Sequence, residues 1–247
     1  MDFLNVTKRY YNAWLGAPTL ADAPFGVIPI YSAERNKIQE GYGAPFDLYV
    51  LLRDGRISCS YGDKLSERAD TLAKHLSPDD TAEQAAEKIR SLLNCEVSHN
   101  IKYFLERMPE PSDNARPLSA EDYPCYREFF LQMNPGADVD GWLKDYFDGM
   151  VSEQLCCGVF IEGKLVSCTD APSVPYLSGE VCEIGINTLP EYRGRGYAAG
   201  ACALAMHNSV LGGKCPIWST GADNTASQRL AEKLGFRKFA DLLTVTL

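Results

Sequence analysis

The sequence predicts an α+β fold, a mixed sheet flanked by helices, preceded by a smaller α+β unit. Three observations predict it. In the second half of the chain, apolar runs of strand type and of helical spacing follow one another as helix, helix, strands, helix, strand, helix, strand. A glycine-rich turn, Arg193-Gly194-Arg195-Gly196, stands between one such strand and one such helix. A stretch rich in proline and polar residues, Arg107 to Asn114, separates this half from a mixed segment before it.

Phe3 to Leu15 reads as an amphipathic helix with Tyr10, Tyr11 and Trp14 on one side. Asp47 to Arg53 and Arg56 to Tyr61 read as a hairpin around Asp54-Gly55. Ser66 to Leu76 and Thr81 to Leu93 read as helices, the second opening on a capping box, Thr81-Ala82-Glu83-Gln84. Beyond the proline-rich stretch, Tyr126, Phe129, Phe130 and Met133 make one helical face within Pro124 to Met133. Trp142, Tyr146, Phe147 and Met150 do the same within Val139 to Gln154. Most of these aromatics, in both stripes, are expected to be core. Asp138, Asp140, Asp145 and Asp148 accompany the second and suit a solvated face equally well. Cys156 to Glu162 and Lys164 to Cys168 form a hairpin at Gly163, and Gly179 to Thr188 is the next strand. Tyr197 to Leu211 is a helix of small residues able to lie close to a sheet. Cys215 to Thr220 is a strand and Thr225 to Leu234 a helix capped by Asn224 and stopped by Gly235. The chain ends in strands within Phe236 to Leu247.

Composition narrows the function. The 247 residues carry 24 Lys and Arg against 33 Asp and Glu, a net charge of −9. Nucleic-acid binding needs a basic surface, so no nucleic-acid partner is expected. A cationic acceptor such as an amine is compatible with this charge. No apolar run approaches the ~18 residues that span a bilayer, and the start lacks a signal-peptide pattern, so no membrane association is expected. Nine cysteines, an odd number without a Cys-x-x-Cys pair, fit a reducing cytoplasm rather than a disulfide framework. The three histidines are dispersed, and no metal site is expected.

The turn at Arg193 to Ala198 carries the chemistry. A glycine-rich turn that opens a helix gathers unpaired N–H groups and the positive end of the helix dipole around one point, which suits a pyrophosphate. Gly194 and Gly196 let the backbone approach an anion that a Cβ would push away. The spacing is neither the dinucleotide fingerprint nor the P-loop. With Leu189-Pro190-Glu191-Tyr192 ahead of it, the run Arg193-Gly194-Arg195-Gly196-Tyr197-Ala198 resembles the coenzyme A loop of the GNAT N-acetyltransferase superfamily. Asn224 to Phe236 is similar to that family's second cofactor segment. The resemblance covers about Pro117 to Leu247. It implies an acetyltransferase domain at 117–247, a linker at 107–116 and an N-terminal α+β domain of unassigned role at 1–106. The family's first strand is faint, with Asn100 to Glu106 as its expected place.

The resemblance implies acetyl-coenzyme A as acyl donor and an amine of a small molecule or peptide as acceptor, joined by direct attack in a ternary complex. It also implies coenzyme A contacts at Ile186, Asn187, Thr188, Arg193, Gly194, Arg195, Gly196, Tyr197, Ala198, Asn224 and Ser227. A homodimer is compatible with it. For the general base, Glu183 and Glu180 are the candidates. Glu183 is favoured because it interrupts an otherwise apolar strand on the face it shares with Asn187. A buried carboxylate held by hydrogen bonds is the competing account. The family's usual general acid, a tyrosine, is replaced by Ala231; either Tyr192, Tyr197, Ser227 or water serves instead, or the thiolate leaves unprotonated, which a thiol pKa of ~8.5 tolerates near neutral pH, or the enzyme is slow or inactive. A non-catalytic acyl-coenzyme A sensor or scaffold is the rival reading. A nucleotide-binding protein is a third.

Overall fold

The structure is a computed structural model that describes residues 1–17 and 25–247. The first helix, α1 (Phe3–Leu15), is capped by the Asp2 carboxylate, which accepts from the Asn5 N–H at 3.0 Å, and ends at Gly16. Strand β1 (Gly26–Tyr31) follows, then the hairpin β2 (Leu48–Arg53) and β3 (Arg56–Tyr61), turning at Asp54-Gly55 as the sequence indicates. Helix α2 (Ala69–His75) leads to α3 (Ala82–Leu93), whose capping box is closed in both directions by Thr81 and Gln84. Strands β4 (Ser98–Leu105) and β5 (Arg116–Pro117) precede helices α4 (Tyr123–Met133) and α5 (Leu143–Ser152). The rest is β6 (Cys157–Ile161), β7 (Lys164–Asp170), β8 (Val181–Glu183), β9 (Gly185–Thr188), α6 (Tyr197–Leu211), β10 (Cys215–Gly221), α7 (Thr225–Lys233) and β11 (Phe236–Val245).

These strands make two sheets. The larger runs β1-β3-β2-β11-β4-β10-β8 and the smaller β5-β6-β7-β9. The larger sheet is mixed: β1 is parallel to β3 and β8 to β10, and the other pairs are antiparallel. Helix α1 covers one of its faces, where Tyr11, Trp14 and Leu15 pack with Tyr49, Leu51, Ile217 and Leu242. The opposite face is covered by α2 and α3 towards β2 and β3, and by α6 and α7 towards β4 and β10. Helices α4 and α5 pack on the smaller sheet through Tyr126, Phe129, Phe147 and Met150, the stripes predicted as core. Trp142 departs from that expectation: it is 43% exposed and its indole N–H donates to the Asp138 carbonyl.

The expected boundary at 106–107 falls at the end of a central strand. Strand β4 lies between β10 and β11, and β11 in turn pairs with β2. One sheet thus runs through the segment expected to be a separate N-terminal domain and into the C-terminal half. The Asn100–Glu106 region is a strand, as expected. The strand that leads into the two helices, however, is the short β5 at the edge of the smaller sheet.

Where α7 ends, the Gly235 carbonyl accepts from the amides of Glu106 and Arg107, tying the segment after β4 to the start of β11. Gly235 has φ +87°, and a Cβ there would stand 2.1 Å from the Arg107 carbonyl oxygen. Gly235→Ala is therefore expected to cost more than about 1 kcal/mol from backbone conformation alone, with the collision added. Thermal unfolding checks this, and an unchanged melting temperature would contradict it.

Candidate active site

Strands β8 and β9 are consecutive in the chain but belong to different sheets. Strand β8 pairs with β10 through Glu183↔Ile217, and the Ile184 amide still donates to the Ile217 carbonyl at 3.1 Å. From Gly185 onward the chain pairs only with β7, through Gly185↔Asp170 to Thr188↔Ser167. The strand thereby leaves β10, and a cleft of about 720 Å³ opens between them. Its walls are Ile184 to Thr188 on one side and Trp218 to Thr220 on the other, with Tyr192 to Gly194, Gly196 to Ala199 and the start of α7 at the mouth.

Backbone groups face this opening. The Leu189 amide donates to the Val166 carbonyl at 2.9 Å, which fixes the phase of the antiparallel ladder. By the alternation of such a ladder, Asn187 and Gly185 direct their amides at β7, while Ile186 and Thr188 direct theirs away from it, across the cleft. At the mouth, α6 has Gly196 as N-cap and no side-chain cap. Its first-turn amides, from Tyr197 to Ala199, have no partner within the helix, since the Gly200 N–H to Gly196 carbonyl bond is the first. Gly194 (φ +76°) and Gly196 (φ +83°) both lie in the left-handed region, and a Cβ at either would meet open space. The turn is thus shaped by glycine, bare of side chains and electropositive, as an anion requires. A second hollow of about 600 Å³ adjoins it, sharing Gly196, Ala199 and Lys233 and bordered by Arg107.

All the residues predicted to contact coenzyme A line the main cleft except Arg195. Its guanidinium donates to the Glu191 carbonyl at 3.0 Å and lies over the Tyr192 ring. Arg193 reaches back to the Thr188 carbonyl at 3.1 Å, bracing the loop on β9. Asn224 caps α7, its side chain accepting from the Ser227 amide at 3.1 Å, and the Ser227 hydroxyl accepts from the Trp218 indole at 3.1 Å.

The two candidate bases are far apart in character. Glu180 is 46% exposed and held by Arg9 of α1 at 2.7 and 2.8 Å, at the end of β8 remote from the break. Neither Glu180 nor Glu183 is among the residues that line the cleft, which begins at Ile184. Glu183 stands immediately before the break, on the α1 face of the sheet. Among the described residues its carboxylate makes no hydrogen bond. Burial raises its pKa above the usual carboxylate value, Lys102 opposes the rise and Asp170 adds to it. Burial raises Tyr10, Tyr11, Tyr42 and Tyr49, and the Glu183 charge adds to each, so the aromatic cluster of the N-terminal segment shares its surroundings.

Three further polar residues meet here that sequence reasoning missed. Lys102 of β4 donates to the Ser219 hydroxyl of β10 at 2.5 Å, its pKa lowered by burial. Asp170, at the end of β7, accepts from the Tyr146 hydroxyl of α5. The one sequence signal for Lys102 is a lysine inside the apolar run Ile101 to Leu105.

Cysteine nucleophiles find no support. Cys182, beside Glu183, faces the opposite core, and burial pushes its thiol up to about 12. The histidines are engaged elsewhere, His99 with Asp241 and His207 with the Pro109 carbonyl. Among the described residues no group of His, Cys, Asp or Glu could hold a metal, and no helix is long and apolar enough to cross a membrane.

The sequence profile of the family described as GNAT acetyltransferase matches residues 144–241. No curated protein matches the chain. Among solved structures, a GNAT-family acetyltransferase from Colwellia psychrerythraea is 18% identical, over 66% of this chain and 62% of its own, with TM-score 0.51. An N-acetyltransferase from Sphaerobacter thermophilus is 17% identical over 66% and 56%, with TM-score 0.50. An acetyltransferase of the GNAT family from Novosphingobium aromaticivorans is 26% identical over 61% and 64%, with TM-score 0.48. This chain spans less than two thirds of the length of each. The profile covers the diverging strands, the glycine loop and both helices around it. Residues 144–241 thus match the GNAT acetyltransferase family, and the chain has the mixed sheet and flanking helices of that fold.

Proposed function

We propose that this protein transfers an acetyl group from acetyl-coenzyme A to an amine by direct attack in a ternary complex. The observation that carries the reading is the cleft between β9 and β10, with an uncapped helix N-terminus at its mouth; the Glu183 carboxylate stands just outside its lining, one residue before Ile184. The amides of Gly194 to Ala199 hold the diphosphate, and the adjoining hollow with Arg107 and Lys233 offers positive charge to the nucleotide end. The pantetheine arm lies along β9 as an added strand. The Ile186 and Thr188 amides point at it, and one of them polarises the thioester carbonyl.

Three chemical requirements remain: the amine must be neutral when it attacks, its nitrogen must then lose a proton, and the thiolate must leave. Glu183 takes the proton, as a carboxylate of raised pKa that no hydrogen bond occupies. The acceptor amine reaches the Glu183 end of the cleft, near the aromatic cluster of the N-terminal segment whose tyrosines feel the Glu183 charge. The acidic balance of the chain favours a cationic acceptor.

Release of free thiol from acetyl-coenzyme A in the presence of a panel of amines tests the reading. Turnover on at least one amine is expected; binding of acetyl-coenzyme A with no turnover on any would favour the sensor. Gly196→Asp is expected to lower acetyl-coenzyme A affinity by 100-fold or more by titration calorimetry, because it sets a negative charge where the diphosphate lies. The fold should survive, since the new side chain meets open space and the left-handed backbone costs about 1 kcal/mol. Undiminished binding would remove the loop from the site.

A further inference from the structure

We propose that Ser219 protonates the departing coenzyme A thiolate and that Lys102 supplies the proton through it, filling the role left empty by Ala231. The inference rests on the acetyl-transfer reading above and extends it to the leaving group. Ala231 is buried and has no proton to give. The tyrosines at the cleft mouth, Tyr192 and Tyr197, belong to the phosphate end. Ser227 accepts from the Trp218 indole, which has no proton to resupply to the hydroxyl.

Ser219 is placed differently. It lines the cleft on the β10 lip. Strand β8 is in register with β10 at Glu183↔Ile217, so two residues further along, Ser219 stands across the opening from Gly185, where β9 departs. A thioester whose carbonyl is held by the amides of β9 has its sulfur over this point.

Behind Ser219 is Lys102, its partner in the β4–β10 register, with the ammonium 2.5 Å from the hydroxyl oxygen. Among the described residues Lys102 makes no ion pair. A lysine in such a place is costly unless its charge is used. Burial lowers its pKa and Glu183 opposes the drop. The ammonium thus gives up a proton more readily than an exposed lysine does.

The balance closes. The amine nitrogen bonds to the acetyl carbon and the carbon–sulfur bond breaks. The proton shed by the nitrogen passes to the Glu183 carboxylate. The Ser219 hydroxyl proton passes to sulfur, and Ser219 takes one from the Lys102 ammonium. Glu183 is then an acid and Lys102 a neutral amine, and one proton passed from the first to the second restores both. Ser219 is the catalytic residue in this scheme and Lys102 a positioning residue. The titratable groups that share this space are Glu183 on β8, Asp170 on β7 with Tyr146 on α5, Tyr10 and Tyr11 on α1, Tyr42, and Tyr49 on β2.

The test is the pH profile of kcat for thiol release by the full chain. In the wild type, activity rises on the acid side as Glu183 ionises and falls on the alkaline side as Lys102 loses its proton. Ser219→Ala and Lys102→Met are each expected to lower kcat about 100-fold, leave the KM for acetyl-coenzyme A within about twofold, and abolish the alkaline fall while keeping the acid one. The double variant should be no worse than either single one, because the two act as a unit. Lys102→Arg keeps charge and donor without titrating. It should fold, lose turnover and lack the alkaline fall, which keeps the proposal open to refutation if Lys102→Met is unstable. An alkaline fall retained in Ser219→Ala or Lys102→Arg would overturn the relay while leaving acetyl transfer standing. A wild type that releases no thiol with any amine would overturn both.

Discussion

A fragment beginning at Arg107 is expected not to fold, although it contains both cofactor segments and the whole region resembling an acetyltransferase. The reason is the place of β4. It pairs with β11 from Ser98↔Thr244 to Leu105↔Phe236, and with β10 from Asn100↔Gly221 to Phe104↔Ile217. Deleting 1–106 removes this central strand together with β2, so β11 loses both neighbours and β10 loses one. Ile101, Tyr103 and Leu105 also vanish from the core beneath α6 and α7. Side chains of that size are worth roughly 2–5 kcal/mol each when removed from a packed core. For the three the sum is roughly 6–15 kcal/mol, as large as the roughly 5–15 kcal/mol by which a domain is usually stable. Circular dichroism and thermal melting of the 107–247 fragment check this: no cooperative transition is expected. A cooperative one would show that the acetyltransferase segment stands alone. A second fragment beginning at Cys95 keeps β4 and so separates loss of the strand from loss of the α1 face.

That expectation reverses the boundary the sequence suggests, and the reason is physical. Local signals are legible: the α1 stripe, the Thr81–Gln84 box, the hairpin at Asp54-Gly55 and the full extent of α6 follow from the sequence. Strand order is not a local property. Nothing in Ser98 to Leu105 says that its partners lie at 215–221 and 236–245, and the proline-rich run after it reads as a linker. Strand β1 carries Pro29, which argues against a strand, and is tolerated because β1 is the outermost strand of its sheet. The same division holds at the candidate site. The glycine loop is read from one continuous segment because backbone amides do the work. Lys102, Ser219 and Asp170 come from three strands, and only register brings them near Glu183.

Glu183→Gln is expected to lose most turnover, a drop of about 100- to 10,000-fold in kcat, while binding acetyl-coenzyme A as before and gaining stability at neutral pH. Burial holds the Glu183 carboxyl above its usual pKa in the folded protein. The folded state therefore binds this proton more readily than the unfolded chain. That contribution to stability is fully present below the unfolded value of about 4.3 and is lost as pH rises through the higher folded one. At neutral pH the ionised carboxylate is a cost that glutamine does not carry. The melting temperature of the variant should exceed that of the wild type there, and the difference should close in acid. A carboxylate retained for its hydrogen bonds would show the opposite sign, with the glutamine variant less stable at pH 7 and activity reduced only in proportion. The same shift governs catalysis: kcat/KM of the wild type should fall on the acid side through a pKa above that of an exposed glutamate. Asp170 contributes to the rise, so Asp170→Asn should move that fall to lower pH without removing it. Full activity in Glu183→Gln would dismiss it as the base, and reduced stability with full activity would return it to a structural role.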